Sequence, residues 1–105
     1  MTHGAQLAAR CDQAIELFKK AKYRTGVANG MRLLGGVYAK AGHPKHARQM
    51  FEGAMSEYGI LGHRLGQAIC KTEIARLLQG KKSIKAKEEG RRLLAEGLEV
   101  IEEVQ

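Results

Sequence analysis

The chain has 105 residues and a mass of 11.5 kDa, the size of one domain. Its 44% hydrophobic residues are enough to build a core and exclude wholesale disorder, and no apolar run approaches the roughly 18–20 residues that span a bilayer. The formal net charge of +7 favours acidic partners, nucleic acid among them. The basic excess is uneven, since residues 1–42 carry seven basic and two acidic residues.

Helical periodicity begins near the N-terminus. Apolar residues recur at spacings of three and four through residues 5–21 and again through residues 27–41, which predicts one amphipathic helix in each segment. No stretch alternates apolar and polar residues in the way a strand requires. The stripe of the first segment comprises Leu7, Cys11, Ala14, Ile15, Phe18 and Ala21.

Glycine and proline divide the rest of the chain into three more helices. Gly42 followed by Pro44 predicts the end of the second helix and the start of a third, because Gly favours helix C-termini and Pro favours first turns. We expect the third helix to run to about residue 58, where Gly59 and Gly62 break it. A fourth helix is predicted over residues 64–79 and a fifth over residues 84–103, with Ser83 as N-cap.

The sequence repeats itself over a period of 40 residues. Arg24, Gly26 and Ala28 recur as Arg64, Gly66 and Ala68. After the following turn the register slips by one, so that Phe51 and Ala54 align with Gly90 and Leu93. A period of this length in alternating helices is typical of a helical solenoid.

One unit of this repeat carries a family pattern. Its residues are Met31-x2-Leu34-Gly35-x2-Tyr38, then Gly42, then Ala47-x3-Phe51-x2-Ala54. The pattern resembles the tetratricopeptide repeat, although Met31 stands where the family has Trp and the proline expected near Gly59 is missing. The 40-residue spacing, with Arg-x-Gly-x-Ala opening a helix, is similar to scaffold proteins that organise receptors or spindle poles.

The resemblance implies an all-α fold, a short right-handed solenoid of about five antiparallel helices in one domain, 1–105. It divides the chain into a half repeat (5–22), a repeat (23–58) and a degenerate repeat (63–103). In the family, residues at the positions of Gly35 and Ala47 let paired helices approach closely. Residues at the positions of Tyr38 and Phe51 fill the space between successive pairs.

No catalytic or cofactor motif is present. The sequence contains no GxSxG, no GxxxxGK[ST] loop and no GxGxxG after a strand. His43 and His46 are three residues apart without a third ligand nearby in sequence, which argues against zinc. Cys11 and Cys70 lie on or beside apolar stripes and form no CxxC motif. We therefore expect a cytoplasmic protein with reduced thiols, no cofactor, no metal and no enzymatic activity.

The resemblance also implies a binding surface, because first helices of successive repeats line a concave groove in this family. The expected groove residues lie on the second helix and, after a shift of 40, on the fourth. Asn29 and Arg32 resemble the residues with which some members hold a peptide's terminal carboxylate, although the full set is not present. We expect a protein or peptide partner, of acidic character, in a groove of Asn29, Arg32, Gly36, Lys40, Ile69, Thr72 and Arg76.

Two alternatives compete with this interpretation. The last helix exposes a broad apolar surface, and its lysines crowd its positive end while its glutamates crowd its negative end. This arrangement favours a homodimer through Leu94, Leu98 and Ile101. Nucleic-acid binding through the basic front half is a weaker alternative, and no membrane partner is expected. Arg24 and Arg64, which repeat, are expected to orient the helix starts by bonding nearby carbonyls.

Overall fold

A computed structural model describes residues 2–104 as five α-helices joined by short turns, with no strand in this range. The fold is therefore all-α, as the periodicity predicts. The helices are α1 (His3–Lys20), α2 (Arg24–Lys40), α3 (Pro44–Leu61), α4 (Arg64–Leu78) and α5 (Ile84–Glu103).

Polar side chains cap the N-termini of three helices. Thr2 Oγ1 accepts a hydrogen bond of 3.1 Å from the backbone N–H of Ala5 at the start of α1. Ser83 Oγ accepts one of 3.3 Å from Ala86, which confirms the predicted N-cap of α5. At the start of α4, His63 Nδ1 takes the same role by accepting from the N–H of Gly66 at 2.8 Å.

Two predicted boundaries were wrong. The second helix begins at Arg24, three residues earlier than its apolar stripe indicated. The third passes through Gly59 and ends at Gly62, whose φ of +69° makes it the left-handed C-cap. Gly59 stays helical and exposed, and a Cβ there would lie 2.9 Å from Nε2 at the movable end of the Gln67 side chain on α4.

Each helix packs against the next one along the chain. Two ion pairs show that the paired helices run antiparallel, since each joins the start of one helix to the end of the next. Arg24 Nη1 donates to Glu57 Oε2 at 2.7 Å, and Arg64 Nη2 donates to Glu103 Oε2 at 3.0 Å. The expectation that these arginines bond carbonyls was therefore wrong: both bond carboxylates, which offer stronger, charge-assisted acceptors.

Burial follows the sequence repeat. Five of the six buried positions of α2 recur as buried positions of α4 after 40 residues, and three of the four in α3 recur in α5 after 39. The matched pairs include Gly26 and Gly66, Ala28 and Ala68, Leu34 and Ile74, Gly35 and Ala75, Phe51 and Gly90, Ala54 and Leu93, and Tyr58 and Gly97. The right-handed solenoid of tetratricopeptide type stays a prediction.

The two helix pairs differ in which helix supplies the large side chain at their interface. In the first pair, the Phe51 ring lies over Gly35, where a Cβ would be 2.7 Å from Cε1. In the second pair, the matched positions are Ala75 and Gly90, and a Cβ on Gly90 would meet Leu78 Cβ at 3.3 Å. No side chain of α5 therefore takes the place that the Phe51 ring takes beside α2.

Candidate functional site

An open groove of about 570 Å³ runs between α4 and α5. It begins beside Gly90, where the second helix pair lacks the counterpart of the Phe51 ring, and continues toward the end of α5. Its lining consists of Thr72, Ala75, Arg76, Leu78, Gln79, Lys87, Gly90, Arg91, Leu94, Leu98 and Ile101.

The floor of this groove is apolar and only partly covered. Leu94 keeps 37% and Leu98 43% of its surface exposed, and Ile101 is half-buried. Their spacing of four and three residues places them on one face of α5, so they form a continuous stripe. We therefore take this apolar stripe, with the cations beside it, as the candidate interaction surface.

Three cations stand around this apolar floor. Arg76, on α4, is bound at 3.5 Å by Glu73 one turn earlier on the same helix. Lys87 and Arg91, on α5, are exposed and form no ion pair within residues 2–104. Two positive charges therefore remain free to meet an acidic group beside the apolar stripe.

The groove predicted from the sequence is divided between two places. Asn29 and Arg32 are bonded to the buried Tyr58 of α3: Tyr58 Oη donates to Asn29 Oδ1 at 2.5 Å, and Arg32 Nε donates to Tyr58 Oη at 3.1 Å. These two side chains hold α2 to α3. Thr72 and Arg76, in contrast, line the α4–α5 groove.

The other three predicted groove residues lie outside both arrangements. Gly36 is half-buried with open space where a Cβ would stand, and Lys40 is exposed at the end of α2. Ile69 is half-buried, and its carbonyl accepts a hydrogen bond of 2.8 Å from Thr72 Oγ1 within α4. The seven residues thus share no single cavity.

The residues predicted for self-association join the α4–α5 groove instead. Leu94, Leu98 and Ile101 line it together with Thr72 and Arg76, so the predicted self-association surface meets the α4 part of the predicted groove. The 39-residue register contains the missing signal: it places Gly90 where the first pair has Phe51.

Ion pairs to earlier helices compensate part of the unfavourable charge order of α5, which has lysines near its N-terminus and glutamates near its C-terminus. Arg48 on α3 binds Glu89 through two hydrogen bonds of 3.2 and 2.6 Å, and this contact lowers the pKa of the Glu89 carboxyl. Lys71 on α4 binds Glu96 at 3.1 Å and likewise lowers the pKa of that carboxyl. With Glu103 held by Arg64, three of the six glutamates of α5 join it to the earlier helices.

A second basic surface lies at the end of the molecule that contains the α2–α3 and α4–α5 turns. Lys45 and Arg48 of α3 line a cavity of about 440 Å³ together with Lys81 from the α4–α5 turn, and Glu52, which is paired with Arg48, also lines it. Counts of charged residues along the sequence do not detect this cluster, because the segments that contain its members are 30 or more positions apart. These segments come together only when α3 packs against α4.

Both cysteines are free thiols with little thiolate character. Burial raises the pKa of Cys70 to about 11, and the weaker burial of Cys11, together with the charge of Asp12, raises its pKa as well. Cys70 is fully covered and packs among Ala28, Ala54 and Tyr58 as a small apolar residue.

Within residues 2–104, no three His, Cys, Asp or Glu side chains stand close enough together to hold a metal ion. None of the helices described is both long and apolar enough to cross a membrane.

Comparison of the chain with protein-family models, with curated proteins and with solved structures found no significant match.

Proposed function

We propose that this chain is a protein-interaction module of tetratricopeptide type that binds a segment of another polypeptide in the α4–α5 groove. The family assignment is supported by the 40-residue repeat of buried positions and by the close packing of Phe51 on Gly35. The two free cysteines support a reducing, cytoplasmic setting.

One observation carries the binding proposal: an unfilled apolar stripe flanked by unpaired cations. Apolar side chains of a ligand would cover Leu94 and Leu98, which supplies affinity in proportion to the area removed from water. Carboxylates of the same ligand would meet Lys87 and Arg91, which fixes its register and speeds association. The groove therefore fits a polypeptide segment that combines apolar and acidic residues.

Selection from a displayed random-peptide library tests this function directly. Peptides are selected on the wild-type chain and depleted on a Leu94→Asp variant, which keeps the fold because Leu94 is partly exposed. We expect enriched sequences with apolar residues at helical spacing and a net negative charge, with affinities that fall as salt increases.

A matched control separates the groove from general stickiness. Leu33 on α2 is 59% exposed and lies outside the groove, so Leu33→Asp introduces the same change elsewhere. Selected peptides are expected to bind the Leu33→Asp variant as well as the wild type. Peptides that bind Leu94→Asp undiminished, or a library without enrichment, would contradict the proposed function.

A second candidate function, nucleic-acid binding, is supported by Lys45 and Lys81, which line one cavity and form no ion pair within residues 2–104. Cations gathered from separate helices can follow a phosphate backbone, and counterion release makes such binding fall steeply with salt. Titration with mixed single-stranded RNA at low salt checks it. If no complex forms at low salt, nucleic-acid binding is excluded as a function. If a complex forms, Lys45→Glu together with Lys81→Glu should weaken it.

A further inference from the structure

Two charges of opposite sign flank the apolar stripe of α5 and have no ion-pair partner within residues 2–104. Arg91 precedes Leu94 and Glu102 follows Ile101, and both side chains are exposed. Eleven residues bring them back to nearly the same side of the helix but separate them by about 16 Å along its axis. They cannot meet within one chain.

We propose that the occupant of the α4–α5 groove is a second copy of this chain, whose α5 packs antiparallel to the first α5 across a two-fold axis near Leu98. This inference rests on the proposed function only in taking the groove as the binding surface. A closed two-fold pair is the commonest arrangement of identical chains, and each copy then covers the same stripe of the other.

The register follows from the positions of the apolar residues. An antiparallel pair centred near Leu98 places Leu98 opposite its own copy and Leu94 opposite Ile101 of the second copy. Arg91 then lies within one helical turn of Glu102 of the second copy, on the same side of the interface. The two-fold axis repeats this contact, so one dimer contains two such ion pairs and leaves neither charge unmatched.

The first helix pair provides an internal precedent for a helix in this place. There α4 lies on the α2–α3 pair antiparallel to α3 and covers Phe51, which keeps only 1% exposure, and its Cys70 packs against Ala54 and Tyr58. In the second pair, the positions that match Phe51 and Ala54 are Gly90 and Leu93, and both are already buried against α4. Leu94 beside them keeps 37% of its surface exposed, and no described helix lies on it. A helix from outside the chain thus has a defined position to take.

The charge order of α5 selects a second copy over an unrelated helix. Its first half is basic and the exposed part of its last half is acidic, an order that is unfavourable for an isolated helix because it opposes the helix dipole. Antiparallel pairing places each basic half beside the acidic half of the other copy. The charge order that is unfavourable with the dipole of α5 is therefore complementary to the charge order of an antiparallel second α5.

Sedimentation equilibrium of the full chain over a concentration series tests the proposal. We expect the mass to rise from 11.5 kDa toward twice that value within the micromolar range. Leu98→Asp, which places two carboxylates at the axis, should hold the chain at one copy, whereas Leu33→Asp on α2 should leave the dimer intact.

Charge exchange tests the register. Arg91→Glu should weaken dimerisation at least about tenfold, because it replaces two attractions by two repulsions. Adding Glu102→Arg to the same chain should restore dimerisation, since both pairs then form with reversed sign. Lys85→Glu provides the control: it makes the same change in net charge on the opposite side of α5 and should have little effect.

The outcomes separate this inference from the proposed function. A mass of one chain throughout the series, with groove-dependent peptide binding retained, would overturn the second copy and leave the interaction module standing. A dimer that survives Leu98→Asp, or a charge exchange that fails to restore association, would overturn the α5 register. Loss of both self-association and groove-dependent peptide binding would overturn both proposals.

Discussion

The ring of Phe51 lies on Gly35, with 2.7 Å between its Cε1 atom and the position a Cβ of residue 35 would occupy. This contact sets how closely α2 and α3 approach. In the second helix pair the matched residues are Ala75 and Gly90, so the bulk is removed from one side of the interface. At this position a ring of α3 fills the first interface, whereas in the second interface Leu78 of α4 lies against Gly90.

Two neighbouring glycines of α2 should respond oppositely to a methyl group. Gly35→Ala should lower the free energy of unfolding by about 1–2 kcal/mol, because the Phe51 ring must move from a filled core. Gly36→Ala should raise it by about 0.5–1 kcal/mol, since nothing lies within 4 Å and alanine favours the helix. Urea unfolding measures both, and equal effects would contradict the packing described.

The backbone angles in the turns that follow the helices predict a stabilising substitution in the turn between α1 and α2. Lys22, Gly42 and Gly62 all have positive φ, at 56°, 81° and 69°, but only Lys22 carries a side chain there. Lys22→Gly should stabilise the chain by about 1 kcal/mol because it relieves that backbone strain. Gly42→Ala, at the next turn, should destabilise it by a similar amount, about 1 kcal/mol, and thermal unfolding reports both shifts.

The Tyr58 hydroxyl joins α3 to α2 through Asn29 and Arg32. Tyr58→Phe should therefore cost about 1 kcal/mol, since it removes two hydrogen bonds, one of them to a charged donor. Tyr38→Phe is the control, because the Tyr38 hydroxyl makes no side-chain hydrogen bond within residues 2–104. Chemical denaturation of both variants decides the point, and an equal cost would show that the hydroxyl of Tyr58 adds nothing.

The Arg48–Glu89 contact should make stability depend on pH in the acidic range. Arg48 lowers the pKa of Glu89 below its ordinary value of 4.5, so the native state binds fewer protons there than the unfolded chain. The stabilisation is complete above the unfolded pKa and is lost as the pH falls through the lowered native pKa.

A double-mutant cycle with Arg48→Gln and Glu89→Gln isolates this contact. We expect a coupling of about 0.5–1 kcal/mol at neutral pH that vanishes in acid. The exposed pair of Lys19 and Glu16, 3.5 Å apart on α1, serves as the reference and should show almost no coupling at either pH. A coupling for Arg48 and Glu89 that persists after Glu89 is protonated would contradict the assignment.

Local chemistry in the sequence determined the helices and their order. Apolar spacing of three and four, Ser83 as a cap and Gly42 before Pro44 act through neighbouring residues, so each can be read without the rest of the chain. Gly59 shows the limit of this reading. A glycine can end a helix or continue it, and only the structure shows that Gly59 continues α3 whereas Gly62, with positive φ, is its C-cap.

The binding surface depended on contacts between residues distant in the sequence. Helical spacing placed Asn29 and Arg32 on a polar face, but the approach of α3 brings Tyr58 to them and takes up their hydrogen bonds. Likewise, the register matched Gly90 to Phe51, but only the packing of α4 on α5 shows a groove beside Gly90 that Leu94 and Leu98 line. The sequence by itself determined which residues share one face of each helix. Tertiary packing decided which of those faces are already covered or hydrogen-bonded, because side-chain hydrogen bonds between helices and the cavities between them form only when two helices pack together.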